Sequence, residues 1–97
     1  MARSVKQQSR HDAEVARFAR RYEREGYHVK ADIKGYPQPD TIGGYRPDVV
    51  AKKGIARKIV EIETMASVDS ARDQKQQATF QNAAKRSKAT SFIRKVV

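Results

Sequence analysis

Pro47-Asp48-Val49-Val50-Ala51-Lys52-Lys53-Gly54-Ile55-Ala56-Arg57-Lys58-Ile59-Val60-Glu61-Ile62-Glu63 is the stretch around which the chain organises. Two β-prone runs meet at Gly54-Ile55, and a Gly-X pair between such runs predicts a hairpin with a two-residue II′ turn. A slightly longer bulged loop through Lys52-Lys53-Gly54 is the alternative. With the two-residue turn Lys53 pairs with Ala56, and counting back sets Asp48 across from Glu61. Opposed residues share a face and lie about 4.5–5.5 Å apart between Cα atoms. Glu61 and Glu63 share that face too, about 6.6 Å from each other along the strand. Three carboxylates converge in a chain with only 11 acids.

Upstream, Val15, Phe18, Ala19 and Tyr22 recur at the spacing of an amphipathic helix that stops at Gly26. Ser9 and Asp12 resemble its capping box, which leaves residues 1–8 as a flexible basic arm and 9–97 as a single domain. Residues 27–33 alternate as a strand. The breaker-rich stretch 35–47 is a loop long enough to be either functional or disordered. Downstream, Ser70 to Asp73 caps a second, polar helix that fades near Ser87, and 90–97 is a last strand. The expected class is α/β, in the order α-β-β-β-α-β, with a four-stranded mixed sheet flanked by two helices.

Lys and Arg number 21 in 97 residues, a net charge of +10. So large a surplus on so small a body attracts polyanions, nucleic acid first. The absence of cysteine excludes a disulfide scaffold, a thiolate zinc site and a thiol nucleophile. No uncharged apolar run reaches the length of a membrane span or a signal-peptide core. A cytoplasmic protein that does not engage membranes is the expectation.

Two full charges near 5 Å repel by roughly 3 kcal/mol at an effective dielectric of about 20. Either one acid keeps its proton or a cation fills the gap. Hard oxygen ligands favour Mg²⁺ or Mn²⁺ over zinc, and such an ion activates water for phosphodiester cleavage. Glu61-Ile62-Glu63 alone reads most simply as a solvated face paired with Lys52, Arg57 or Lys58. The addition of Asp48, and the order of elements around it, favour the metal site.

The sequence of helix, strand, Pro-Asp strand, acid-x-acid strand, helix and strand resembles the PD-(D/E)xK phosphodiesterases, which have the restriction-endonuclease-like fold. The likeness spans about 9–97. From Asp12 to Glu63, including the Gly26-Tyr27 step, it is similar to small archaeal Holliday-junction-resolvase-like nucleases. The resemblance implies that Asp48 and Glu61 are metal ligands and that Glu63 stands where the family carries lysine. It also implies that Glu14 completes the site from helix 1, where the competing reading is an ordinary first-turn acid. The implied activity is a metal-dependent DNA endonuclease, structure-selective on branched DNA, working as a homodimer. The E-x-E variant leaves two possibilities open, a tolerated substitution or a dead catalyst, with Lys52 or Lys75 as substitute charges. Pro39-Asp40 is a second Pro-Asp pair, but it sits within the loop, so Asp48 is preferred.

Arg46, Lys52, Lys53, Arg57 and Lys58 surround the site in sequence and suit phosphate contacts. Tyr36 and Tyr45 suit base stacking or rim packing. Gln76 and Phe80 are similar to a Gln-x-x-x-Tyr helix feature of some nuclease branches. Arg17, Arg20, Arg21 and Arg24 lie opposite the core stripe, remote from the site. His11 and His28 receive no catalytic role. DNA is the expected partner, ahead of RNA; the rivals are a non-catalytic nucleic-acid-binding module and a basic protein adaptor.

Overall fold

Alternation along the strands sorts their side chains to two faces, and each face has its own helix. The computed structural model describes residues 3–68 and 70–97. The elements are α1 (Val5–Arg24), β1 (His28–Ala31), β2 (Val49–Lys53), β3 (Ala56–Glu63), α2 (Ala71–Lys85) and β4 (Thr90–Val96). They form one four-stranded sheet in the order β1-β2-β3-β4, antiparallel except for the parallel β3–β4 pair. The class is α/β with a mixed sheet and two flanking helices, as expected.

On one face Val29, Ala31, Val49, Ala51, Val60 and Ile62 pack beneath Val15, Ala19 and Tyr22 of α1. On the other, Ile59 meets Phe80 and Ala83 of α2, with Phe92, Ile42 and Tyr45 around them. A fully buried Ile or Phe contributes roughly 1.5–3 kcal/mol, so this smaller cluster depends on Ile59 and Phe80. The hairpin has the two-residue form, with Lys53 opposite Ala56 and Val49 opposite Val60. Gly54, at φ +58°, supplies the conformation its first turn position requires.

Two boundaries differ from expectation. Helix α1 begins at Val5, so residues 5–8 are helix instead of arm, and Ser9 lies inside it. Its capping box is Ser4 with Gln7: the Ser4 hydroxyl accepts the Gln7 N–H at 3.1 Å, and the Gln7 amide oxygen accepts the Ser4 N–H at 3.0 Å. Strand β1 stops at Ala31, whose N–H donates to the Pro37 carbonyl at 2.9 Å as the chain doubles back. The loop 35–47 is built: Ile42 and Tyr45 exchange backbone hydrogen bonds of 2.7 and 3.1 Å around Gly43-Gly44. A Cβ on Gly43 would lie 2.5 Å from the Thr79 methyl, which shows how closely the loop tip presses on α2.

The two ends of the described chain meet at the end of β3. Arg3 donates to the Thr64 hydroxyl at 3.2 Å and to the Ile62 carbonyl at 3.5 Å. The Val97 N–H donates to the Glu63 carbonyl at 2.8 Å. Among the described residues no helix is long and apolar enough to cross a membrane.

Candidate active site

At Asp48 the ladder gives way to side-chain bonding. The residue directly follows buried Pro47 and sits one step beyond the Val49–Val60 pair, across from Glu61. Its N–H turns to the Val60 carbonyl at 3.1 Å, and its Oδ2 accepts the Ile62 N–H at 2.8 Å. Its Oδ1 lies 3.1 Å from His11 Nε2, delivered from the buried side of α1. The Asp48 and Glu61 carboxyls are close enough to shift each other's ionisation. Glu63, two residues along β3, accepts the Ser67 hydroxyl at 2.6 Å and feels the charge of Asp73.

All three acids are at most 9% exposed, and their ionisation diverges accordingly. Burial, reinforced by the hydrogen bond and charge of Asp48 and by the charge of Glu63, pushes Glu61 up to about 11. Asp48 is also buried, but His11, Glu61 and the Ile62 N–H outweigh that and hold it below its ordinary value. The two acids are thus biased in opposite directions, Asp48 toward the carboxylate and Glu61 toward the protonated form. Burial raises Glu63, Asp73 adds to the rise, and Ser67 and Arg3 oppose it. For His11 burial works downward, yet Asp48 and Asp12 prevail and the imidazole is raised.

The acids floor a cleft of about 340 Å³. Arg3 and Gln8 line it from the α1 end, Arg46 from the long loop, and Ser70, Arg72, Asp73 and Gln76 from the start of α2. The Ser70 hydroxyl caps α2 by accepting the Asp73 N–H at 3.1 Å. The Asp73 carboxylate takes Arg94 at 2.7 Å and Gln77 at 3.2 Å. Arg46 donates to the Pro39 carbonyl, and the Arg72 guanidinium lies 5.3 Å above the Tyr45 ring.

Of the residues expected at the site, Asp48, Glu61, Glu63, Arg46 and Gln76 line the cleft, and Tyr45 stands beside it under Arg72. Glu14 does not. It is on the α1 face, held by Lys95 at 2.8 Å and near Arg17 at 3.7 Å, beside a separate small cavity. The physical reason is register: Lys95 pairs with Ile62, whose side chain faces α1, whereas Glu61 and Glu63 face the other way. Lys52, Lys53, Arg57 and Lys58 cluster at the hairpin turn instead of lining the cleft. Four strand residues, or ~13 Å, separate Lys52 from Asp48 and Arg57 from Glu61. Lys53 instead donates to the Glu25 carbonyl at 2.8 Å. Lys75 is exposed and outside the cleft, and the Tyr36 hydroxyl is bound to Glu23 at 2.6 Å.

Residues that sequence reasoning passed over are His11, Arg3, Ser67, Arg72 and Asp73. One readable signal existed for His11, which stands four before Val15 and so continues the buried stripe. Among the described residues no three His, Cys, Asp or Glu side chains are grouped so as to hold a metal ion. The expected trio of Asp48, Glu61 and Glu14 is therefore not assembled.

No protein-family model, no curated protein and no solved structure matches this chain significantly.

Proposed function

We propose that this protein is a metal-dependent DNA endonuclease of the PD-(D/E)xK type, selective for branched DNA. The observation that carries the reading is the row of buried carboxyls, Asp48, Glu61 and Glu63, on the floor of an arginine-rimmed cleft. Two adjacent buried carboxyls offer a hard-oxygen seat whose mutual repulsion a divalent cation would relieve. Mg²⁺ takes one or two carboxylates and completes its shell with waters and phosphate, so Asp48 and Glu61 suit it without a third acid. A bound Mg²⁺ or Mn²⁺ would supply polarisation of the scissile phosphate and a more acidic water.

The chain's own residues account for the rest. Asp48 is oriented by its contacts with His11 and the Ile62 N–H. Arg3, Arg46 and Arg72 attract the phosphodiester to the cleft and offset its charge. Gln76 offers an amide to a phosphate or base, and Glu63 stays close to Ser67 where the family has lysine. A homodimer placing two such sites on one junction, and a cytoplasmic location, belong to the same reading.

The test is incubation of supercoiled, linear, single-stranded and four-way-junction DNA with Mg²⁺, Mn²⁺ or chelator. Products are expected only with metal, most on the junction. They should vanish in Asp48→Asn and Glu61→Gln while gel-shift binding persists. Glu14→Gln should cut near the wild-type rate, because that carboxylate serves Lys95. Cutting that survives in Asp48→Asn sinks the proposal.

A second reading, DNA binding without cleavage, draws on two observations: no lysine lines the cleft, and no three-ligand metal group is formed among the described residues. It predicts salt-dependent binding and no product at any metal concentration.

A further inference from the structure

One set of cations is arranged by helix geometry alone. At about 100° per residue, Lys6, Arg10, Arg17, Arg20, Arg21 and Arg24 of α1 fall within a single sector about 100° wide. The helix's acids, Asp12, Glu14 and Glu23, fall outside that sector, as does Glu25 at the C-cap. The buried Val15, Ala19 and Tyr22 lie on the opposite side, and all the stripe cations are exposed. Among the described residues Lys6, Arg10, Arg20 and Arg24 form no ion pair. Arg17 lies 3.7 Å from Glu14 and Arg21 3.1 Å from Glu25, solvent-exposed contacts that a phosphate readily replaces.

We infer that this outer face of α1 is a track for the sugar–phosphate backbone of duplex DNA, separate from the cleft. From Lys6 to Arg24 the helix rises ~27 Å, the length of roughly eight base pairs at 3.4 Å each. A straight row of one sign matches a stiff rod of evenly spaced anions. The stripe carries no aromatic side chain, since Phe18 and Tyr22 belong to the core side, so it lacks the stacking platforms that select unpaired bases. An acidic membrane is a poorer fit, because interfacial helices insert their apolar face and that of α1 is covered by the sheet. Gln8, which lines the cleft, lies on the opposite side of α1 from the stripe, and none of the stripe cations lines the cleft. The inference shares with the proposed function the identity of the polyanion but none of its chemistry.

The test is fluorescence anisotropy of a labelled 16-base-pair duplex across a salt series, with the 97-residue chain. Three variants are compared with wild type: R17Q/R20Q/R21Q/R24Q, the same four positions as lysine, and R46Q/R72Q in the cleft. The glutamine set should bind at least tenfold more weakly. Its plot of log affinity against log salt should be shallower by up to ~3.6, at ~0.9 for each of the four lost phosphate contacts. The lysine set should restore the slope. Glutamine is a good helix former, so far-ultraviolet dichroism should not change, and a single-stranded probe should respond less. Affinity within twofold of wild type at an unchanged slope overturns the inference. So does a wild type that ignores duplex, or a loss confined to phosphatidylserine vesicles. A protein that binds through the stripe but cuts nothing upholds the track and defeats the nuclease reading, and the reverse result separates them the other way.

Discussion

Glu61 is held in a state its own chemistry resists. In the unfolded chain its carboxyl ionises near the ordinary 4.5, whereas in the fold burial and the neighbouring acids keep the proton on to about 11. Between those values the folded protein binds one proton more than the unfolded one. This contribution to stability is therefore complete below about pH 4.5 and is lost progressively as pH rises toward 11. Glu61→Gln removes the titration and keeps the shape. It should melt several degrees above wild type at pH 8, where ~4–8 °C corresponds to 1 kcal/mol in a domain this size, and show little gain at pH 4. Thermal melts of both proteins at the two pH values check this; equal shifts at both would place the gain elsewhere. Convergence of Asp48 with Glu61 was legible in the sequence because a two-residue turn turns register into counting. The role of Asp73 was not, because its partner Arg94 is 21 positions away on β4, and which strand residue meets the start of α2 is a matter of packing that no local pattern encodes.

Among the elements, the long loop shows the largest gap between composition and structure. Its glycines and prolines read as irregular chain, yet Gly43-Gly44 sits between backbone-paired Ile42 and Tyr45, and the tip rests on Thr79 of α2. That contact sets Tyr45 under Arg72 and Arg46 at the cleft. Gly43→Ala places a methyl against the Thr79 side chain at φ +58°, a conformation that L side chains rarely adopt. The expected result is a loss of ~1–3 kcal/mol by urea titration, with DNA affinity of the cleft falling as Arg46 and Arg72 lose alignment. Pairing it with Thr79→Ser, which removes the opposing methyl, should recover part of the loss. A Gly43→Ala protein as stable as wild type would mean the loop tip is not anchored there. Helix α1 was legible through its apolar stripe but not at its start, because exposed Val5 and the polar residues after it extend the helix without extending the stripe.

At the scale of the whole molecule, β3 organises everything. It carries Glu61 and Glu63, pairs antiparallel on one side and parallel on the other, and ends where Arg3, Ser67 and Val97 attach. The class and element order were readable because two-fold alternation and helical periodicity are local. The Glu14–Lys95 contact, 81 positions apart, depends on which sheet face α1 covers, and no spacing argument reaches that. Arg3 through its guanidinium and Val97 through its backbone N–H reach neighbouring positions of one strand, which brings both ends of the described path to the same end of the sheet. Splicing head to tail through a few flexible residues should leave the native state nearly unstrained while shrinking the conformational freedom of the denatured ensemble. A cyclised protein should accordingly melt several degrees above its linear counterpart, as paired calorimetric scans would reveal.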